Sequence, residues 1–287
     1  MVVDHINKTQ YTWWLDKLNK ALSRPDNAEL ITIYAWGGTG KTEFTHFVAR
    51  ANADAWVKVC YVSLEMPSRQ LALRYAIKKA WIKAYIDYQD KKYTHHQGEL
   101  IEKYYKEFIE YNNISLCGED RQYTLQDLLS NNNDMVGTMQ YHYDMWYRMF
   151  VVDNLGKIIT NKNELEAQEY ITSSLQDWKN KMNCCVMLIH HTSKNKKWES
   201  WGMRWSQKIF DNSTKVIKLE RTMDDTECWQ EELAKLTIKQ EKNSMRGDYV
   251  ETECYFDRGV YIEEYVGNAY KNKTILDDIH TDLDDIF

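Results

Sequence analysis

The chain has 287 residues, of which 43% are hydrophobic, and a formal net charge of −6 at pH 7. This length suits one large α/β domain or two small ones. The sequence contains no run of about 18 apolar residues, which argues against a membrane-spanning helix, and its N-terminus lacks the basic start and apolar core of a secretory signal. The 6 cysteines form no CxxC pair, which argues against a zinc site and favours reduced thiols in a cytoplasmic protein.

Predicted strands and helices alternate along most of the chain. An amphipathic helix over 11–22 comes first, because Trp14, Leu18 and Leu22 fall on one helical face. Strands that alternate with helices indicate an α/β fold with a mostly parallel central sheet and helices on both faces. Strands are predicted at 31–36, 59–66, 114–118, 148–155, 184–191, 214–221, 233–240, 249–257 and 260–265, and the main helices at 41–53, 68–85 and 164–182.

The stretch AWGGTGKT, at 35–42, lies between the first predicted strand and the helix that follows it. It matches the phosphate-loop pattern G-x-x-x-x-G-K-[ST], except that Ala35 replaces the first glycine. In such a loop, backbone N–H groups point at the phosphates of a nucleotide, the lysine reaches the β- and γ-phosphates, and the last hydroxyl holds Mg²⁺. We therefore predict ATP and Mg²⁺ as ligands. The residues predicted to bind them are Gly37, Gly38, Thr39, Gly40, Lys41 and Thr42.

Two carboxylates that follow apolar strands complete the expected site. Asp153 ends the run MFVVD and is predicted to bind Mg²⁺, although an aspartate at a strand end is also common without that role. Glu65 comes just after the second strand. Because the carboxyl ends of parallel strands meet at the ligand crevice, we expect Glu65 to face the γ-phosphate and to polarise the attacking water.

The sequence SLEMPS, at 63–68, follows a phosphate loop that begins with alanine, and this combination resembles the replicative helicases of the DnaB type. That family includes the phage primase-helicases and Twinkle-like mitochondrial helicases. The similarity spans residues 28–262, with the motifs in the family's order. The resemblance implies a RecA-like P-loop NTPase core that assembles into a homo-hexameric ring with ATP between neighbouring subunits. It also implies that single-stranded DNA passes through the pore and that the motor moves 5′ to 3′.

Further stretches carry the same resemblance. MFVVDNLGKI resembles the family's second nucleotide motif, and STKVIKLER resembles the strand after its DNA-binding loop. CCVMLIHHTSK resembles the strand that ends in a histidine near the γ-phosphate. This implies that His191 senses the γ-phosphate and relays its loss to the adjacent loop, although the alternation of strand residues leaves His190 open.

The segment 192–208 combines cations with tryptophans and contains a single acid, Glu199. Because cations neutralise phosphates and flat rings stack on unpaired bases, we predict that this segment binds single-stranded DNA. The alternative is a solvated loop whose tryptophans pack at a subunit boundary. A weaker DNA-binding candidate is Lys157, in the turn after Asp153. The predicted DNA-binding residues of the segment are Lys194, Lys196, Lys197, Trp198, Trp201, Arg204, Trp205 and Lys208.

The stretch KNSMRGDYV, at 242–250, resembles the family's late hairpin, which carries a lysine and an arginine finger two residues later. Lys242 matches the lysine, but the arginine position is Ser244 and the nearest arginine is Arg246. Either Arg246 is the finger of a shifted hairpin, or Lys242 acts alone and hydrolysis is slow. Another alignment puts Lys239 at the lysine position. The predicted catalytic residues are Lys41, Glu65, His191, Lys242 and Arg246.

The predicted organisation is a linker helix in 1–27, a RecA-like ATPase domain in 28–265 and an acidic tail in 266–287. The linker helix either packs on a neighbouring subunit or covers its own domain. The last eleven residues, DDIHTDLDDIF, hold five aspartates and no Lys or Arg. Phage primase-helicases have a similar tail, so the resemblance implies that a DNA polymerase or single-strand-binding machinery docks on its tip at Phe287. The alternative is a solubilising tail.

These features predict a function as an ATP-driven ring helicase in DNA replication, encoded by a phage or a plasmid and working in the cytoplasm. The alternative is a RecA-like, ATP-dependent DNA-binding switch or loader that does not unwind processively. A small-molecule kinase would share the phosphate loop, but it would explain neither SLEMP nor the segment of tryptophans and lysines.

Overall fold

Apolar segments form the parallel strands at the centre of the computed structural model. In LITIYA and MFVVD, for example, every residue of the strand is buried. Such continuous apolar runs are typical of parallel strands that are covered on both faces. The structure describes residues 11–13, 15–80, 88–118, 124–129, 139–158, 164–191, 207–222, 233–244, 247, 249–257, 260–262, 265–266 and 269–270.

Strands alternate with helices as far as the sixth strand, and antiparallel strands follow. The strands are β1 (Leu30–Ala35), β2 (Val59–Ser63), β3 (Ile114–Cys117), β4 (Met149–Asp153), β5 (Cys185–His191), β6 (Lys215–Thr222), β7 (Leu233–Asn243), β8 (Val250–Asp257), β9 (Val260–Ile262), β10 (Tyr265–Val266) and β11 (Ala269–Tyr270). The helices are α1 (Asp16–Ala21), α2 (Lys41–Asp54), α3 (Ser68–Lys79), α4 (His95–Ile109), α5 (Leu125–Leu129), α6 (Met139–Asp144), α7 (Glu164–Met182) and α8 (Gln207–Asn212), with a 3-10 turn at Leu155–Lys157.

Within the described residues, the main sheet has the strand order β3-β2-β4-β5-β1-β6-β7-β8-β9. The strands from β3 to β6 in this order pair in parallel, whereas β7, β8 and β9 add antiparallel pairs at one side. The prediction of a mostly parallel sheet is therefore confirmed, and so is the predicted hairpin of the last two strands. No helix in the described part of the chain has the length and apolar character needed to span a membrane.

The sheet divides the core into two layers. Successive residues of β2 alternate between them: Val59 and Tyr61 belong to the cluster that includes Phe44 of α2, while Cys60 and Val62 belong to the cluster that includes α7. This alternation follows from the period of two residues in a strand. The layers fix the sheet from both sides, so that the strand ends form a rigid platform.

The N-terminal segment packs on the chain's own domain. Trp13, Leu18 and Leu22 are fully buried in the same cluster as Phe44. The Trp13 indole N–H donates to the carbonyl of Ser23 at 2.6 Å. Of the two arrangements that the sequence leaves open for this segment, the described residues adopt the one that covers their own domain.

We expect the Trp13→Ala variant to lose about 3–5 kcal/mol of unfolding free energy, because it leaves a large cavity and removes a hydrogen bond. The measurement is the denaturant midpoint, followed by circular dichroism. Trp56 is the matched control, since its side chain is 86% exposed and its removal should change stability by less than about 0.5 kcal/mol. Equal losses in the two variants would show that the segment does not contribute to the core.

Candidate nucleotide-binding site

Four neighbouring strands bring the predicted site residues to one edge of the sheet. In the order β2-β4-β5-β1, each strand runs in the same direction, so their carboxyl ends lie side by side. These ends lead to Glu65, Asp153, His191 and the phosphate loop. Ligands of open α/β sheets bind in the crevice at this edge.

The phosphate loop joins β1 directly to α2. Gly38 and Gly40 have φ values of 79° and 98°, which is the left-handed region that glycine adopts without strain. A Cβ atom added to Gly37 or Gly38 would meet no other atom within 4 Å, so the cradle is open to a ligand. Ala35 lies buried within β1, which explains why alanine can replace the usual glycine there.

Lys41 lies at the start of α2 and is folded against its own loop. Its ammonium group donates to the carbonyls of Ala35 and Trp36, at 2.9 and 2.8 Å. Burial lowers the pKa of Lys41 to about 8, although the charges of Asp153 and Glu65 act in the opposite direction. To reach a phosphate, the ammonium group must exchange these carbonyls for phosphate oxygens.

Asp153 connects three elements of the site. Its Oδ2 accepts hydrogen bonds from the Thr42 hydroxyl at 2.8 Å and from the Tyr61 hydroxyl at 3.0 Å. Burial raises the pKa of the Asp153 carboxyl, and the two hydrogen bonds reduce that increase. The Tyr61 hydroxyl stays protonated, because burial raises its pKa well above the usual value.

The Asp153 side chain is also suited to bind a metal ion. Its Oδ1 is buried and accepts no hydrogen bond from the residues that the structure describes. Carboxylate and hydroxyl oxygens are the ligands that Mg²⁺ prefers. Asp153 and Thr42 are therefore suited to hold Mg²⁺, as the sequence predicts.

Glu65 lies between two polar partners. Its Oε2 accepts hydrogen bonds from Asn154 Nδ2 at 2.6 Å and from His191 Nε2 at 2.8 Å. Burial raises the pKa of the Glu65 carboxyl, but these hydrogen bonds and the charge of Lys41 outweigh burial and leave the pKa below its usual value. Glu65 is therefore ionised at neutral pH and able to accept a proton or a hydrogen bond from water.

A sharp turn holds Glu65 in this place. The strand predicted at 59–66 ends at Ser63, since the N–H groups of Leu64 and Glu65 both turn toward the carbonyl of Asp153, at 2.5 and 3.3 Å. Gly118, at the end of β3, lies against the same turn with a φ of 107°. A Cβ atom there would lie 2.2 Å from the carbonyl oxygen of Ser63, so only glycine fits.

His190 and His191 differ in their contacts with the carboxylates of the site. His191 bonds to Glu65, and its ligand atom lies within 4.8 Å of those of Glu65 and Asp153. Burial, together with smaller effects of the neighbouring His191 and Lys41, lowers the pKa of His190 to about 4, so His190 stays neutral. His191 is thus the histidine that reaches the carboxylates.

Other predicted site residues lie elsewhere or outside the described residues. Lys157 and Lys208 are both exposed, and Lys157 follows Asp153 within the 3-10 turn. Arg246 and residues 271–287 of the predicted tail lie outside the described residues, whereas the first part of the tail forms β11, which pairs with β10. The main part of the predicted DNA-binding segment also lies outside the described residues. It comprises Lys194, Lys196, Lys197, Trp198, Trp201, Arg204 and Trp205.

Lys242 is not brought to the nucleotide crevice of its own chain. Its ammonium group donates to the carbonyls of Phe210 and Asp211, at 2.6 and 2.9 Å. It pairs with Val216 near the start of β6, and this strand begins beside Ile31, near the start of β1. Lys242 therefore lies at the amino edge of the parallel sheet, opposite the phosphate loop.

Two site residues were missed by sequence reasoning. Tyr61 orients Asp153, and Asn154 orients Glu65. A tyrosine inside the apolar strand VCYVS was the available signal for the first, because a buried phenol needs a hydrogen-bond partner. The position of Asn154 next to Asp153 gave no comparable signal.

The sequence matches a known protein family. Residues 24–197 match the model of a family described as "AAA domain". The chain belongs to the AAA domain family. No curated protein matched this member of the family.

Solved structures share its fold. One described as "ATPase Domain of G40P" superposes with a TM-score of 0.71 at 15% identity, covering 92% of this chain and 95% of that one. Another, described as "The Structure Of A DnaB-Like Replicative Helicase And Its Interactions With Primase", gives a TM-score of 0.68 at 14% identity, covering 92% of this chain and 64% of that one. At these identities the likeness establishes the fold. The predicted RecA-like α/β fold is therefore confirmed.

The pKa of Lys41 predicts how nucleotide affinity depends on pH. A lysine is charged below its pKa, and only the charged form attracts phosphate, so affinity for ATP should fall as pH rises through about 8, by at most tenfold per pH unit. Calorimetric titration with a non-hydrolysable ATP analogue between pH 7 and 9 measures this. A Lys41→Met variant should bind more weakly and show no inflection near pH 8. A flat wild-type profile would contradict the role of Lys41.

Proposed function

We propose that the chain is an ATP-driven ring helicase motor that moves along single-stranded DNA and unwinds duplex DNA during replication. The observation that carries the proposal is the meeting of Lys41, Asp153 and Glu65 at one sheet edge, where His191 leads directly into the segment 192–206. This arrangement joins a nucleotide crevice to a chain segment rich in cations and tryptophans. The shared fold with an ATPase domain and with a DnaB-like replicative helicase supports the proposal.

The residues of the crevice suit hydrolysis of the γ-phosphate. Glu65 is ionised and held by Asn154, so it can orient a water molecule and accept its proton. Lys41 and the backbone N–H groups of the phosphate loop bind the β- and γ-phosphates. Mg²⁺, when bound by Thr42 and Asp153, supplies positive charge for the phosphate oxygens.

The position of Lys242 supports a function that requires more than one chain. Because it lies at the opposite sheet edge from the phosphate loop, it can act on a nucleotide only in a neighbouring chain. We therefore infer a homo-hexameric ring, with Lys242 and Arg246 facing the nucleotide of the next subunit. The 5′ to 3′ direction and the docking of a polymerase or single-strand-binding machinery at Phe287 are parts of the same proposal.

A DNA-binding switch without processive unwinding is the second candidate. The contact of Lys242 with two carbonyls of its own chain favours it, because an ammonium group held there is not free to complete a neighbouring site. The two candidates differ in turnover: the motor requires hydrolysis that DNA stimulates, whereas the switch requires only binding. ATP hydrolysis with and without single-stranded DNA, measured beside particle size with a non-hydrolysable analogue, separates them. Closed rings with stimulated turnover favour the motor, and rings without turnover favour the switch.

The Glu65→Gln variant should bind ATP normally and hydrolyse it about 10²–10⁴-fold more slowly, because the amide cannot accept the proton of water. Steady-state phosphate release and nucleotide affinity are the two measurements. Glu110 is the control, since it is an exposed glutamate at the end of α4 and its change to Gln removes the same charge. If Glu65→Gln kept wild-type turnover, the general base would have to be another residue.

Replacing Lys196 and Lys197 by Ala should weaken binding to single-stranded DNA. Two lost phosphate contacts reduce the slope of log affinity against log salt by about 1.4. The control is the double variant of Lys91 and Lys92, two exposed lysines that are consecutive in the sequence. Changing both to Ala alters the net charge equally and should leave the salt slope unchanged. Fluorescence anisotropy across a series of salt concentrations measures both. Identical slopes in the two variants would exclude the segment from DNA binding.

A further inference from the structure

Three side chains that can ligate a metal meet on the sheet face that carries α7. Cys60 lies within β2, Cys117 ends β3, and His142 lies on α6. All three are buried, and a ligand atom of each lies within 4.8 Å of the others. Cys60 points to the opposite face from Tyr61, so this cluster is separate from the nucleotide crevice.

Two of the distances between these atoms are close to those of a tetrahedral metal site. The sulfur atoms of Cys60 and Cys117 are 3.7 Å apart. Two thiolates bound to Zn²⁺ at about 2.3 Å with a tetrahedral angle lie about 3.8 Å apart. The Cys117 sulfur lies 3.9 Å from His142 Nδ1 and 3.7 Å from Nε2, and a thiolate and an imidazole nitrogen on the same Zn²⁺ lie about 3.6 Å apart.

The second nitrogen of His142 has the partner that a metal-bound imidazole requires. Nε2 lies 2.6 Å from the hydroxyl oxygen of Ser115. In the tautomer that we assign, Nε2–H donates to Ser115 and Nδ1, which contacts the Cys117 sulfur, carries the lone pair that would bind the metal. Metal-ligating histidines almost always donate their other N–H to an oxygen in this way, which fixes the orientation of the ring.

The pKa values of the two thiols are shifted in opposite directions. The hydrogen bond with Cys60 lowers the pKa of the Cys117 thiol, and the contacts with His142 and Ser115 act in the same direction, whereas burial opposes them. Burial raises the pKa of Cys60, so its proton must be released when a metal binds.

We propose that Cys60, Cys117 and His142 form a binding site for a thiophilic d¹⁰ cation, with Zn²⁺ as the ion to test. The site would join three elements, since β3 pairs with β2 and His142 of α6 contacts Cys117 and Ser115 of β3. Three protein ligands leave the fourth tetrahedral position to water. The competing interpretation is a disulfide, but this needs the two sulfur atoms to approach to about 2.05 Å.

The test uses the full chain, reduced and stripped of metal by a strong chelator, and titrated with Co²⁺ as a spectroscopic substitute for Zn²⁺. We expect about one equivalent to bind with thiolate-to-cobalt charge-transfer bands, and Zn²⁺ to abolish these bands. Aspartates of the tail can bind Co²⁺ through carboxylates, but they do not give these bands. If the wild-type protein shows no charge-transfer bands, the proposal is overturned. It is also overturned if Cys60 and Cys117 form a disulfide and the reduced chain shows no charge-transfer bands.

Variants identify the ligands. Cys60→Ala, Cys117→Ala and His142→Asn should each weaken Co²⁺ binding at least about tenfold. Cys184→Ala is the matched control, because this cysteine is fully buried on the same face and should keep wild-type binding. If Cys117→Ala kept the full bands, the proposal would be overturned. Should a variant fail to fold, the wild-type spectrum and the zinc content of the purified chain still decide the question.

Discussion

One carboxylate, that of Asp153, determines the geometry of the nucleotide crevice. Its side chain binds the last residue of the phosphate loop and the phenol of Tyr61, and its backbone carbonyl accepts the N–H groups that turn the chain toward Glu65. A single residue thus aligns the loop after β1 with the turn after β2. Because a buried carboxylate is costly unless it is hydrogen-bonded, these contacts also stabilise the fold around it.

The order of the strands places the predicted catalytic groups at opposite edges of the sheet, so they could act on one nucleotide only if two chains were adjacent. Parallel strands direct Lys41, Asp153 and Glu65 to one edge, whereas the antiparallel return of β7 carries Lys242 to the other. In one chain the two groups cannot meet. The proposed ring of identical chains would bring the two groups together, with the nucleotide edge of each subunit against the opposite edge of the next.

The sequence was most informative where function depends on local spacing. The phosphate loop, Asp153 and Glu65 each follow a recognisable apolar strand, and the strands alternate with helices in a pattern that indicates a parallel sheet. Sequence reasoning failed where residues meet through the register of distant segments. Tyr61 reaches Asp153 because β2 pairs with β4, and Cys60 lies close to Cys117 because β2 pairs with β3, although the two cysteines are 57 positions apart. Such proximity depends on sheet topology and not on local periodicity.

The close approach of Gly118 to Ser63 has a consequence for how this protein tolerates change. The glycine is distant from the phosphates along the chain, yet any side chain there would push against the backbone that carries Glu65. Random mutagenesis should therefore find this position as intolerant as the phosphate loop.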